Sequence, residues 1–232
     1  MIVNTFAGLL DVNMDDCWIR NHTIHGDIYE QHIIMGPCKK FIESAKYVID
    51  VGANNGNHTI AYSYINPNCT IYSFEPQNNM FKYLESSVKL NKLSNVNLYN
   101  VCLGHDNCKT TLRSPTDENL GGIGIGSGGE EVDMITLDSL NLPGCDYIKI
   151  DVEGAEPLVI QGASQTISKF KPVIMFEHNG SSIDFFKTTS VFIELTKLGY
   201  DRFFYLDWDN YLAVHKSKLD VTVDPCLVPK FR

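Results

Sequence analysis

Short apolar runs alternate with amphipathic stretches along most of the chain. Tyr47–Val51, rich in β-branched residues, reads as a buried parallel strand that runs into the turn Gly52-Ala53-Asn54-Asn55-Gly56 and a helix through His58–Ile65. Cys69–Phe74 is a second strand, closed by Glu75-Pro76, and Met80, Phe81, Leu84, Val88 and Leu90 give the next helix its apolar stripe until it stops near Asn91. Asn95–Val101, Tyr147–Val152 and Val173–Glu177 are further short strands, with helices over about Leu158–Phe170 and Ile183–Leu198, the latter ended by Gly199. Upstream, Ile33, Ile34, Cys38, Phe41 and Ile42 approximate helical spacing between Tyr29 and Ser44, interrupted by Gly36-Pro37. Tyr200–Leu206 and Tyr211–Val214, joined by Asp207-Trp208-Asp209-Asn210, form an antiparallel hairpin. The alternation predicts an α/β doubly wound sheet within a single globular domain, with residues 1–45 as an N-terminal extension and cap and 46–232 as its main body.

Two stretches depart from this pattern. Between Lys109 and Met134, short β-like runs flank a glycine-rich segment at 119–129, which is costly to order and offers few side chains to pack. It predicts a surface loop or, alternatively, a lid over substrate. The aromatic residues Phe203, Phe204, Tyr205, Trp208 and Tyr211 read as the core of the hairpin, with a sugar-stacking platform as the alternative.

Composition narrows the partners. The hydrophobic fraction is 44% and no window approaches the roughly 20 apolar residues of a membrane span. A net charge of -9 supplies no basic face for phosphates, which argues against nucleic acid and favours a neutral or weakly charged acceptor. The seven cysteines are scattered without a Cys-x-x-Cys pair, so the expected setting is a reducing, cytoplasmic compartment, the host's if the chain is viral.

The chemistry concentrates where such sheets bind ligands, beyond the carboxyl ends of their strands. Asp50 stands two positions before the first glycine of the turn. A carboxylate there repels a pyrophosphate but suits the cationic amino group and sulfonium of S-adenosylmethionine, which selects a methyl donor over a nicotinamide dinucleotide. Glu75, about 20 residues past the turn, suits the two hydroxyls of a ribose. Asp151, Glu153 and Glu177 end later strands, and a carboxylate carried into a cleft on an apolar strand needs a cation or hydrogen-bond donors to meet it.

Several segments together resemble the FkbM-type methyltransferases: Val48–Gly56, Phe74-Glu75-Pro76, Ile135–Asp138, Tyr147–Glu156 and Pro172–Glu177. The Lys-Ile-Asp-Val-Glu-Gly-Ala-Glu block at 149–156 is the most specific of these. The resemblance implies a Rossmann-like class I fold, with a mostly parallel seven-stranded sheet and an antiparallel C-terminal hairpin. It also implies S-adenosyl-L-methionine as cofactor and O-methylation, often of a sugar hydroxyl in a glycan, polysaccharide or natural product. Carried onto this chain, it puts Asp50, Gly52, Ala53, Asn54 and Gly56 around the methionine moiety, with Asn57 and Thr59 near its carboxylate. Glu75 holds the ribose, Pro76, Gln77, Cys102 and Leu103 flank the adenine, and Tyr29-Glu30 covers the cofactor from the N-terminal side.

For the transfer, Asp151 is expected to face the methyl group, with His178 as the natural general base and Glu177 positioning it or the substrate. Lys149 is expected to pair with an acid, a catalytic role being the alternative. Asp151, Glu153, Glu177 and His178 also offer a donor set for magnesium or manganese. Competing readings are a non-sugar acceptor, a nicotinamide oxidoreductase, which would carry Gly-x-Gly-x-x-Gly without the strand-end acid, and a non-catalytic module of the same fold.

Overall fold

In a computed structural model of the protein, residues 1–114, 120, 122–178, 187–207 and 209–219 are described. Trp208, residues 119 and 121 of the glycine-rich segment, and residues 183–186 of the last predicted helix lie outside them. The chain begins with a hairpin of β1 (Ile2–Thr5) and β2 (Gly8–Asp11), then α1 (Cys17–Thr23), α2 (Gln31–Met35) and α3 (Lys39–Ser44). The helical spacing around Gly36-Pro37 thus resolves into two helices, as a residue without an N–H donor requires. The hairpin and α1 are too short to impose a period on the sequence, and the pattern does not reveal them.

The body follows as β3 (Tyr47–Val51), α4 (Asn57–Ile65), β4 (Thr70–Phe74), α5 (Asn78–Leu90) and β5 (Val96–Tyr99). Next come β6 (Cys102–Leu103), β7 (Cys108–Arg113) and β8 (Gly128–Ile135), which form a separate small sheet in the order β6-β8-β7. The chain then returns through β9 (Tyr147–Ile150), α6 (Glu156–Gly162), α7 (Ser164–Phe170), β10 (Val173–Glu177), α8 (Ser190–Lys197), β11 (Tyr200–Asp207) and β12 (Asn210–His215). The single helix expected over Leu158–Phe170 is two, broken at Ala163. Just before the break, Gly162 lies so close to the Gly104 carbonyl that a Cβ would stand 1.8 Å from its oxygen.

The central sheet has the order β11-β12-β10-β9-β3-β4-β5. β3, β4, β5, β9 and β10 run parallel, while β12 is antiparallel to both of its neighbours, so the hairpin's second strand slots between β10 and β11. This is the Rossmann-like class I arrangement. The chain works outward from β3 to β5 and comes back to β9, so the order reverses between β3 and β9 and opens a crevice at their carboxyl ends.

Strand alternation sorts the core onto the two faces of the sheet. Ile49, Val51, Ile148, Ile150, Ile174 and Phe176 meet Val159, Ile160, Ile167, Val191 and Leu195 on one face. Val48, Ile71, Tyr147, Val173 and Met175 meet Ile34, Ile42, Ala61 and Tyr62 on the other. The cap is fastened to α5, whose Ser87 Oγ accepts from the Asp11 N–H at 2.9 Å and whose C-cap residue Asn91 accepts from the Leu9 N–H at 2.8 Å. In the hairpin, Tyr211 stacks on Phe176 at 5.6 Å and meets Tyr205 edge-on at 5.4 Å, so these rings fill the core. Among the described residues, no helix is long and apolar enough to cross a membrane.

Candidate active site

A cavity of about 290 Å³ opens at the switch point, between the ends of β3, β4, β9 and β10. Its floor is set by register. Ser73, Asp50 and Lys149 are consecutive Cα partners across β4, β3 and β9, on the face that α4 covers. Thr59 of α4 donates to Asp50 Oδ2 at 2.6 Å, and its hydroxyl lies 2.8 Å from that of Ser73. Lys149 Nζ donates to the Gly52 carbonyl at 2.8 Å and stands 3.8 Å from Asp50 Oδ1 and 3.2 Å from Asp151 Oδ2. Asp50 is fully enclosed and Lys149 is 2% exposed. Burial disfavours the Lys149 ammonium, but Asp151, Asp50 and Glu30 outweigh it and hold the amine charged well above its ordinary range. Lys149 therefore pairs with acids, two of them at once.

Gly52, Ala53 and Asn54 form the first rim. Gly52 has φ +76°, and a Cβ there would stand 1.8 Å from the Asp151 carbonyl oxygen, so the turn brings two strand ends together only with glycine. The Asn54 and Gln77 N–H groups each donate to one oxygen of Glu75 at 2.8 Å. Each Glu75 oxygen retains a further lone pair. Burial raises the Glu75 carboxyl to about 7, against the opposing pull of those two N–H groups and of Lys149.

Beyond Lys149, Asp151 and Glu177 share a hydrogen bond. For Asp151, burial is outweighed by the Lys149 ammonium and the Glu177 bond, and its carboxyl lies below the usual range. For Glu177, burial and the neighbouring Asp151 charge push the carboxyl far above it. Two carboxyls this close share one proton between them, with Lys149 beside Asp151 favouring the ionised form there. Glu153 joins them at left-handed φ 55°, its carboxyl raised by burial and by Asp151. Carboxylate oxygens of Asp151, Glu153 and Glu177 lie within 4.8 Å of one another. Lys149 Nζ, 3.2 Å from Asp151 Oδ2, offsets part of the trio's charge.

The remaining walls come from irregular segments. Tyr29 and Glu30 close one side, where the Asn57 amide pairs with both main-chain groups of Tyr29 at 3.0 Å. Leu103, Val101, Leu112, Ile123 and Ile125 make an apolar wall beside Pro76, Gln77 and Cys102. Over 122–126 the glycine-rich segment, expected as a surface loop or a lid, runs back along β7: the Arg113 N–H donates to the Gly124 carbonyl at 3.0 Å and the Gly126 N–H to the Thr111 carbonyl at 2.9 Å. Its glycines permit close approach, since a Cβ on Gly124 would stand 2.5 Å from the Glu153 carbonyl. Arg113 Nη2 donates to that same carbonyl at 3.0 Å.

Of the residues expected at the cofactor, Tyr29, Glu30, Gly52, Ala53, Asn54, Asn57, Glu75, Pro76, Gln77, Cys102 and Leu103 line the cavity. Asp50, Gly56 and Thr59 stand behind its wall. Of the catalytic and metal candidates, Asp151, Glu153 and Glu177 are brought together and His178 is not. His178 follows Glu177 at the strand end, so alternation turns it away. Its N–H donates to the Asp209 carbonyl, its ring tilts over Tyr211 at 6.5 Å, and burial lowers its basicity. The sequence reading missed His58 and gave the Gly122–Ile125 wall only as the alternative of a lid. A histidine in the first turn of the helix that leaves the glycine turn was the available signal for the former.

The profile of the methyltransferase FkbM domain matches residues 50–218. The crystal structure of methyltransferase FkbM from Methylobacillus flagellatus superimposes with a TM-score of 0.54 at 17% identity, over 74% of this chain and 44% of that one. Precorrin-6y C5,15-methyltransferase from Geobacter metallireducens gives 0.50 at 15% identity, over 80% and 85%. At these identities the likeness concerns the fold. No curated protein sequence matches the chain. The switch-point cavity, the order of the sheet and the domain profile agree, and the chain belongs to the FkbM methyltransferase family.

Proposed function

We propose that this protein transfers a methyl group from S-adenosylmethionine to a hydroxyl oxygen, with a sugar in a glycan or polysaccharide as acceptor. The observation that carries the reading is a single cavity lined both by Glu75 and by the Asp151–Glu177 pair. Glu75, fixed by two N–H groups with one lone pair left on each oxygen, suits a vicinal diol, and the apolar wall from Val101 to Ile125 suits a planar base. When bound, S-adenosylmethionine supplies an electrophilic methyl on a sulfonium.

Asp151 is the group that orients the acceptor hydroxyl and receives its proton as the oxygen is methylated. Glu177 keeps Asp151 in place through its own proton, and Lys149 keeps it ionised until the hydroxyl arrives. Holding the oxygen in line accounts for most of the acceleration, because a carboxylate with so low a proton affinity accepts a hydroxyl proton only late in the transfer. An acceptor end lined by carboxylates suits a neutral, polyhydroxylated ligand. We read the Asp151–Glu153–Glu177 trio as working without a divalent ion, so dialysis against a chelator is expected to leave the rate unchanged.

The test is a panel of glycans and non-sugar alcohols with a methyl-labelled donor. Label appearing in a glycan supports the assignment. Label confined to a non-sugar alcohol keeps methyl transfer and removes the sugar, and binding of NAD with no affinity for S-adenosylhomocysteine removes both.

A further inference from the structure

The acidic turn after β9 is wedged between two other segments of the cavity. It leaves the strand at Asp151 and passes through Glu153 (φ 55°) and Gly154 (φ 99°), both left-handed, which brings the Glu153 carboxylate back beside Asp151. From the body of the protein, Glu156 at the start of α6, 3% exposed, accepts from the Val152 and Gly154 N–H groups at 3.2 and 3.1 Å. Two carbonyls of the turn each meet a glycine. That of Asp151 abuts Gly52 of the first rim and that of Glu153 abuts Gly124 of the apolar wall, with room for a Cβ at neither.

The wall reaches this turn through Arg113. Along 122–126 the side chains alternate: Ile123 and Ile125 join Leu112 at the cavity, whereas Gly124 and Gly126 leave a bare track on the opposite face. The Arg113 stem lies in that track, so close that a Cβ on Gly126 would stand 2.1 Å from its Cγ and one on Gly124 would stand 2.8 Å from its Nη2. At the end of the track Nη2 donates to the Glu153 carbonyl at 3.0 Å. Arg113 is exposed and does not line the cavity. Its side chain nonetheless ties the position of the wall to that of the acidic turn.

We propose that Arg113 is a positioning residue that couples the two ligands of the cavity: a base seated against Ile123 and Ile125 fixes the wall, and Arg113 thereby holds the Glu153 turn where an acceptor hydroxyl meets Asp151. This coupling rests on reading the cavity as the methyl-donor site. Donor binding then orders the acceptor end before the acceptor arrives, although Arg113 touches neither molecule. Because the opened turn is a minor state that the donor makes rarer, donor affinity itself depends little on Arg113.

Amide hydrogen exchange at Val152 and Gly154, whose N–H groups leave Glu156 when the turn opens, tests the coupling with S-adenosylhomocysteine as the ligand. In wild type, saturation is expected to slow exchange at these two amides about 10-fold. Arg113→Met keeps a stem on the glycine track and removes the donor. It should bind S-adenosylhomocysteine within about 3-fold of wild type by calorimetry, which certifies its fold, while the slowing falls below about 2-fold. Arg113→Lys puts a donor back at the end of the track and should recover most of the slowing. A merely structural arginine would leave the ligand-dependent slowing intact in Arg113→Met, and that result overturns the proposal. So do an absence of slowing in wild type, a failure of lysine to rescue, and loss of S-adenosylhomocysteine binding in Arg113→Met, which would make Arg113 part of the donor site. If the wild type does not bind S-adenosylhomocysteine, the methyl-donor reading itself fails and the coupling falls with it.

Discussion

Beneath the cavity, Ser73, Asp50 and Lys149 stand abreast because three parallel strands share a register; around it, Tyr29-Glu30 and Gly122–Ile125 arrive on irregular segments held by single side chains and close backbone contacts. In the floor, each charge is buried with a partner, and losing one leaves another stranded in a low dielectric. In the walls, apart from Glu30 facing His58, the fit of the backbone decides. The floor should therefore answer to mutation in stability and turnover, and the walls in ligand affinity and selectivity.

The largest expected effect is at the boundary of floor and cavity. Asp151→Asn should lower kcat by about 10²- to 10⁴-fold and change affinity for S-adenosylhomocysteine by no more than a few-fold, as steady-state kinetics and calorimetry would read. Comparable losses in both would turn Asp151 into a cofactor ligand. Lys149→Met tests the floor itself. It leaves Asp50 without its nearest cation, and urea unfolding should show a loss of about 3–5 kcal/mol; a variant as stable as wild type would show that the row carries no load.

At the rim, Glu75→Gln replaces an oxygen by a donor that faces an N–H group, and the methyl donor should bind about 10- to 100-fold more weakly. Glu75 also predicts a pH dependence with a definite sign. Its carboxyl is raised in the folded protein to about 7 from an ordinary value of 4.5. The folded state therefore binds the proton more tightly, and the Glu75 contribution to stability falls as pH rises from 4.5 to 7. Ribose hydroxyls favour the ionised form, so donor affinity should do the reverse, weakening as pH drops below about 7. Calorimetric titrations from acid to alkaline pH that show no such slope in wild type would discard the diol role.

In the wall, Gly124→Ala puts a methyl against the Glu153 carbonyl and should cost about 1 kcal/mol, seen as donor affinity weakened by 10-fold or less with kcat kept. The smallest effect is expected at His178. Because it faces Tyr211 rather than the cavity, His178→Gln should leave kcat within about 3-fold, and a loss resembling that of Asp151→Asn would restore it as the base.

The same division explains what could be read from the sequence. Val173–Glu177 and Tyr47–Val51 were legible to the residue, since a buried strand writes itself as a short β-branched or apolar run. The strand-end acids were legible because charge on such a run demands a reason. Strand identity did not, however, disclose the register that sets Lys149 beside Asp50, or that Asp50 lies behind the wall while Asp151 lines it. In the walls, Tyr29-Glu30, Cys102 and Leu103 were named only through the family resemblance. Glycine at 124 looked like looseness because composition records a missing side chain without the carbonyl that takes its place. His58 passed as a helix residue because its meaning depends on Glu30, which approaches from a different part of the chain.

The hydrogen bond from Asn210 to Glu30 spans 180 residues of sequence. The turn, the floor row and the acidic pair all precede β12 in the sequence, whereas the side-chain donor to Glu30 Oε1 comes from β12 itself. Placing β12 between β10 and β11 supplies that donor, so the sheet and the Glu30 side of the cavity are completed together.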